Sequence, residues 1–301
     1  MVDNAEVAGP QWTVLPSLGG GVADTGTGGV TLVTDRTEAI PAYFVGHWVE
    51  VREDNPAMDN PLKGTWRVEA IDNLTVTLEA GADVVVGDLW QGVYRFDTMT
   101  VTDRAKVRSD DPIRTPELLV TNGGELTSSD VMDSSTVVLG GGTNWSTLWT
   151  PVVSAGTVEI GGPVSVRSIE APLLTVRTGA TLSHPSGGTQ RLDLMVTNLV
   201  VEDGGSINVT GRGYAGGQTY PGATPPNNST GAGSHLGEGG VHPNYTPGST
   251  YGSVYRPQEG GGGGNHASWG MRGVGVVRVE ATTSELGGSA VIGANGESAA
   301  G

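Results

Sequence analysis

The chain has 301 residues, a formal net charge of -16 and no cysteine. That acidity has the wrong sign for nucleic-acid phosphates and for anionic membrane surfaces, and the missing cysteine excludes disulfides, thiolate metal sites and thiol nucleophiles. No run of about 18 apolar residues is present to cross a bilayer as a helix, and the opening MVDNAEVAGP lacks the basic start and apolar core of a secretory signal.

Apolar residues at helical spacing are nearly absent, whereas period-two alternation recurs from end to end, so the chain reads as all-β. Residues 1–95 form the first unit and hold four of the seven tryptophans. HWVEVRED, GTWRVEAI, NLTVTLEA and DLWQGVYRFD are short alternating strands parted by Gly, Asn, Asp and Pro. They predict a small β-barrel or sandwich with Trp48, Trp66, Trp90, Tyr94 and Phe96 as its bulky core. The alternative is that some of these rings face outward to meet a ligand.

Repeats begin near residue 96. MTVTDRAKV, LLVTNGGEL, LTVRTGATL and LVVEDGGSI align without gaps. Their first and third positions are apolar (Met99 and Val101, Leu118 and Val120, Leu174 and Val176, Leu199 and Val201) and share one strand face. Corners stand at Asp103-Arg104, Asn122-Gly123, Thr178-Gly179 and Asp203-Gly204, where Gly or Asn allows positive φ. Separate hairpins fit this pattern. A solenoid over residues 96–210 fits better, because one unit cannot bury its narrow apolar face until it stacks on the next. The interval around STVVLGGGTNWSTLWTPVV looks irregular.

Residues 211–275 form a glycine-rich excursion, after which residues 276–301 resume alternation as a degenerate fifth copy. In that copy Thr282 and Ser284 occupy the two apolar positions. The chain stops as a second glycine-rich run begins, which reads as one segment of a longer array with further repeats. Five of the seven tyrosines lie in the excursion. Rings set among Gly, Ser and Asn have the composition of binding loops. Candidate ligand-binding residues are therefore Tyr214, Tyr220, His235, His242, Tyr245, Tyr251, Tyr255, His266 and Trp269. The segment is either disordered or an ordered lobe of extended glycine strands packed closely through GGGGG.

The LxVxxGGxL units, the glycine run and GVVRVEA with GGSAVIGANG resemble the right-handed parallel β-helices of bacterial surface proteins, namely filamentous-haemagglutinin-like and autotransporter-passenger-like adhesins. The glycine-rich region also resembles the adhesin tips of some phage tail fibres. The resemblance covers residues 96–301. It implies an extracellular or cell-surface structural and adhesive role, with a cell-surface or polysaccharide ligand and no inherited catalytic residues.

Other motifs read plainly. GRGYAG matches a dinucleotide fingerprint, but Gly and Pro follow it and forbid the helix that would hold the pyrophosphate. Asp110, Asp111, Asp130 and Asp133 could gather for calcium, though solvated turn carboxylates explain them too. The histidines lack companion ligands at metal spacing. Asp103, Arg104, Lys106 and Arg108 are the outward candidates for a polysaccharide-degrading enzyme, and strand alternation alone accounts for them. The sequons at Asn144, Asn208, Asn227, Asn228 and Asn244 would matter only in a eukaryotic secretory route. The expectation is a non-catalytic structural and adhesive segment. A phage tail-fibre or tailspike-like receptor-binding component is the alternative, and a polysaccharide-degrading β-helix enzyme the second alternative.

Overall fold

The computed structural model describes residues 1–3, 11–128, 132–227, 230–240, 246–256, 258–266 and 270–297. The structure is nearly all β. Among the described residues the helical segments are two single 3-10 turns, Ala42–Phe44 and Pro56–Met58.

Alternation in the repeats becomes two eight-stranded parallel sheets. In spatial order, the first contains Val2–Asp3, Thr98–Thr102, Glu117–Val120, Met132–Leu139, Val153–Ile160, Ser168–Val176, Leu192–Val201 and Val277–Leu286. The second contains Thr13–Leu15, Lys106–Ser109, Glu125–Ser128, Ser146–Trp149, Pro163–Ser165, Thr181–Ser183, Ser206–Asn208 and Val291–Gly293. The chain visits the sheets alternately, so each pair of strands forms a rung that hydrogen-bonds to the rungs before and after it.

The register turns the repeat into columns. Met99 pairs with Leu118, Leu118 with Val137, Val137 with Val158, Val158 with Leu174, and Leu174 with Leu199. Two residues along, Val101, Val120, Leu139, Ile160, Val176 and Val201 form a second column. The second sheet supplies Val107, Leu126, Leu148, Val164, Leu182 and Ile207, and all of these side chains join one buried core. The stretch around STVVLGGGTNWSTLWTPVV, irregular in sequence, holds ordinary rungs. Val137, Leu139 and Leu148 occupy the same columns, and a longer corner at Gly140, Gly141 and Gly142, all with positive φ, hides the period.

Corners elsewhere follow turn chemistry. Asp103, Arg104, Asn122, Gly123, Gly179 and Gly204 all have positive φ. The corner side chains also stack: Asn122 Nδ2 donates to Asp103 Oδ1, Asn144 Nδ2 to Asn122 Oδ1 at 3.0 Å, and Arg104 Nη2 to Asn144 Oδ1 at 3.2 Å.

The last rung corrects the reading of the fifth copy. Val201 pairs with Leu286 and Leu199 with Ser284, while Ile207 pairs with Ile292. Leu286 therefore takes the third apolar position that Ser284 had filled by sequence alignment. A two-residue slip preserves which face each side chain takes, so alternation alone could not detect it. Leu286, Val291 and Ile292 stand half-exposed on this end rung.

Residues 1–95 do not all enter one sheet. Val2–Asp3 and Thr13–Leu15 pair with the first repeat strands of the two parallel sheets. Most of the remainder forms a mainly antiparallel sheet of nine strands that stays open rather than closing into a barrel, and Ile113–Arg114 extends its edge in parallel. Its core is Leu18, Leu32, Phe44, Val49, Val51, Val68, Leu78 and Trp90. Of the five rings expected there, Trp90 alone is deeply buried. Trp66 packs partly against the core, Tyr94 packs against the parallel-sheet core, Trp48 lies under the Arg95 guanidinium at 4.5 Å, and Phe96 is exposed.

Asp111 fastens this unit to the rungs. Its buried carboxylate accepts from Ser17 Oγ at 2.6 Å, the Leu18 and Gly19 amides at 2.7 and 3.0 Å, and Gln91 Nε2 at 3.3 Å. Those bonds occupy the carboxylate that a calcium site would have used. Asp110 instead pairs with Arg108 at 2.9 Å, while Asp130 and the Asp133 side chain lie outside the described residues. A second joint is the ion pair of Arg114 Nε with Glu50 Oε1 at 2.9 Å.

Columns of this kind predict a graded core. Leu174→Ala, in the middle of the stack, should cost about 2–5 kcal/mol, whereas Met195→Ala on the outer face should stay within about 0.5 kcal/mol. Urea titration of both variants checks this.

Candidate functional site

Between Asn208 and Val277 the chain leaves the rungs, and the excursion folds back on itself largely through backbone hydrogen bonds. Tyr214 N–H donates to Gly261 O and Gly273 N–H to Tyr214 O, both at 3.0 Å. Gly213, Gly261, Gly262 and Gly263 donate to Gly273, Val274, Ser234 and Gln218 at 2.9–3.1 Å. Ser234, buried, donates to Gly248 O and accepts from Gly239 N–H at 2.9 Å. Among these described segments, regular strand is limited to Thr230–Gly231 against Asn265–His266.

Close approach, rather than turn geometry, demands glycine at three positions of the excursion. A Cβ on Gly273 would lie 1.8 Å from Gly261 O, one on Gly233 2.0 Å from Gly262 O, and one on Gly263 2.0 Å from Ala215 O. None of the three has positive φ. Any side chain would have to push two backbones apart.

Aromatic rings fill the space the glycines leave. Tyr251 stacks on Tyr220 (centroids 5.5 Å apart, planes at 23°) and meets Tyr214 and His235 edge-on at 6.2 and 5.2 Å. Its hydroxyl donates to Gly260 O at 2.7 Å, and burial pushes its pKa up to about 12. Tyr214 is buried against Gly188, where a Cβ would overlap its ring, and burial raises this phenol as well. Burial likewise lowers the pKa of His235.

The nine sequence candidates thus separate. Tyr214, Tyr220, His235 and Tyr251 form one cluster, with Tyr220 the most open member, and Tyr255 projects into solvent at 93% exposure. His242, Tyr245, Trp269 and the His266 side chain lie outside the described residues.

Sequence reasoning missed the residue that anchors the lobe's return. His184, completely buried, faces Pro185 O at 2.8 Å from Nδ1 and the Val276 amide at 3.2 Å from Nε2. A carbonyl only accepts and an amide only donates, so Nδ1 carries the proton and Nε2 accepts. Val276 immediately precedes the last long strand. Nothing in the sequence around SHPSGG distinguishes this histidine from a loop residue.

The enzyme candidates are otherwise engaged. Asp103 and Arg104 belong to the corner ladder, Lys106 pairs with Glu125 at 2.8 Å, and Arg108 pairs with Asp110. Among the described residues no group of three or more His, Asp or Glu side chains is placed to hold a metal ion.

Protein-family models, curated proteins and solved structures were all compared with the chain, and none matches.

Two outcomes follow from this geometry. Gly273→Ala should strip amide-exchange protection from Tyr214 and Gly261–Gly263 while the rungs stay protected. Gly237→Ala, with nothing near its added methyl, should leave exchange unchanged.

The second outcome concerns pH. Burial, opposed by the Pro185 bond and reinforced by Arg212, holds the His184 pKa below 6.5. The unfolded chain then binds more protons as pH falls through about 6.5, so this contribution to stability is complete above that pH and shrinks below it. The urea midpoint should drop between pH 7 and pH 5, and the drop should flatten in His184→Asn.

Proposed function

We propose that the chain is a non-catalytic structural and adhesive segment of a secreted or surface-anchored bacterial protein. On this reading the two parallel sheets are successive faces of a right-handed β-solenoid, and the glycine lobe is the surface it presents. The observation that carries the proposal is the lobe itself, a close-packed element inserted between the last two rungs that holds a cluster of aromatic rings beside the stack. Stiffness follows from the columns, since each rung between the first and the last is bonded on both sides. The open Tyr220 and Tyr255 rings offer contact area at small entropic cost. Engagement of Asp103, Arg104, Lys106 and Arg108 in ladders and ion pairs supports the absence of catalysis.

A second reading, a receptor-binding component of a phage tail fibre, is favoured by the same glycine packing and calls for trimers.

Sedimentation separates the two, with a monomer expected for the first and a trimer for the second. Binding to whole bacterial cells and to insoluble polysaccharide should fall at least fivefold in a Tyr220→Ala, Tyr255→Ala double variant whose melting curve is unchanged. New reducing ends released from polysaccharide would overturn the non-catalytic reading.

A further inference from the structure

The outer face of the second parallel sheet carries a groove that the lobe does not touch. It is an open depression of about 640 Å³, within the roughly 300–1,000 Å³ of typical ligand sites. Trp12 and Trp149 both line it, together with Glu125, Thr127, Thr150 and Arg167. We infer that this groove binds a neutral oligosaccharide, with the two tryptophans as stacking platforms for sugar rings.

The register explains the spacing. Thr13 pairs with Val107, Lys106 with Glu125, and Thr127 with Trp149. Side chains alternate across the sheet, so Lys106, Glu125, Thr127 and Trp149 share the outward face while Val107, Leu126 and Leu148 fill the core. Trp12 precedes Thr13 and reaches the same outer face, with Lys106 Nζ 5.6 Å from its ring centroid. From the rung of Trp12 to that of Trp149 there are three strand steps of about 4.8 Å, roughly 14 Å in all. That span suits a short chain of sugar rings better than a single one.

The chemistry fits a sugar on both counts. A pyranose offers a face of positively polarised C–H groups and a rim of hydroxyls. Indole faces are electron-rich and attract such a face, as they already attract Lys106 and, at 5.0 Å, the Arg167 guanidinium over Trp149. The rim would find the Thr127 hydroxyl and the Glu125 carboxylate, both half-buried on strands whose backbone positions are fixed by their neighbours. Charge does not call for an acidic polymer. Lys106 and Glu125 cancel each other at 2.8 Å, Arg167 is held on an indole, and the whole molecule carries -16. A neutral ligand meets no such repulsion.

This site is separate from the lobe, so the two can fail independently. Intrinsic tryptophan fluorescence and titration calorimetry on the full chain, with cellohexaose, chitohexaose, mannohexaose, maltohexaose and xylohexaose as probes, test it. At least one probe should shift the fluorescence and bind. Affinity should fall tenfold or more in Trp12→Ala and in Trp149→Ala, less in Trp149→Phe, which keeps an aromatic ring if the alanine variant folds poorly, and not at all in Tyr43→Ala, an exposed ring elsewhere. No binding by any of the five would overturn the groove and leave the lobe proposal standing. Binding lost in Tyr220→Ala but kept in both tryptophan variants would overturn it in favour of the lobe. Selective binding of a proline-rich peptide in place of sugars would overturn it as well.

Discussion

The structure depends on one constraint: every rung must place its apolar side chains directly over those of its neighbours. A single rung has too few inward residues to form a core, and its backbone donors and acceptors point along the stack, where only another rung can meet them. The columns from Met99 to Leu199 and from Val101 to Val201 satisfy both needs together. Because the repeat constrains only inward positions and corners, everything between them is free to vary. The pairing step is 19 residues at Thr102–Thr121 and 85 at Asn198–Thr283, where the whole lobe is accommodated without disturbing the register. Loop length costs little once the ends are held, since closure entropy grows only with its logarithm.

Holding the ends is the work of a few buried polar groups. Asp111 gathers four donors from the antiparallel unit, and His184 spans Pro185 and Val276 at the lobe's base. Each lies where an insertion meets the stack, and each is buried only because its partners are supplied. A carboxylate left without such donors would face a large desolvation cost. Exposed pairs differ in kind. Arg177 bridges Glu159 and Glu202 across rungs at 2.8 and 2.7 Å, and these bonds raise its pKa and lower that of Glu202. In water such links add little individually, so they decorate the stack rather than hold it.

Fold class and the repeat positions were legible in the sequence because strand burial has a period of two and glycine or asparagine marks the corners. The rungs at Met132–Leu139 and Val153–Ile160 were not, since their corners differ in length from the other copies. The Leu286 register escaped because a shift of two residues leaves every side chain on the same face. Asp111 and His184 were invisible for another reason: their partners Leu18 and Val276 lie 93 and 92 residues away. The aromatic core of the first unit was misjudged because Trp48 and Phe96 satisfy alternation while facing outward. Within the excursion, composition pointed to rings but could not separate Tyr214 and Tyr251, which build the lobe, from Tyr255, which projects from it.

The distribution of charge links these parts to the proposed adhesive role. Residues 211–275 contain Glu238 and Glu259 against Arg212, Arg256 and Arg272, so the net charge of -16 resides on the rungs and the first unit. Bacterial surfaces are commonly anionic, and at physiological salt repulsion between exposed charges decays over about 8 Å. An acidic stack would be held off by its own charge unless its contact element were close to neutral and carried beyond that distance. The glycine-packed lobe is close to neutral and would suit such a contact on the proposed reading, because it needs no charged face to stay folded and its rings contribute contact area in place of ion pairs. On the proposed reading acidity serves solubility along the stack, and adhesion draws on the lobe, where acid is scarce.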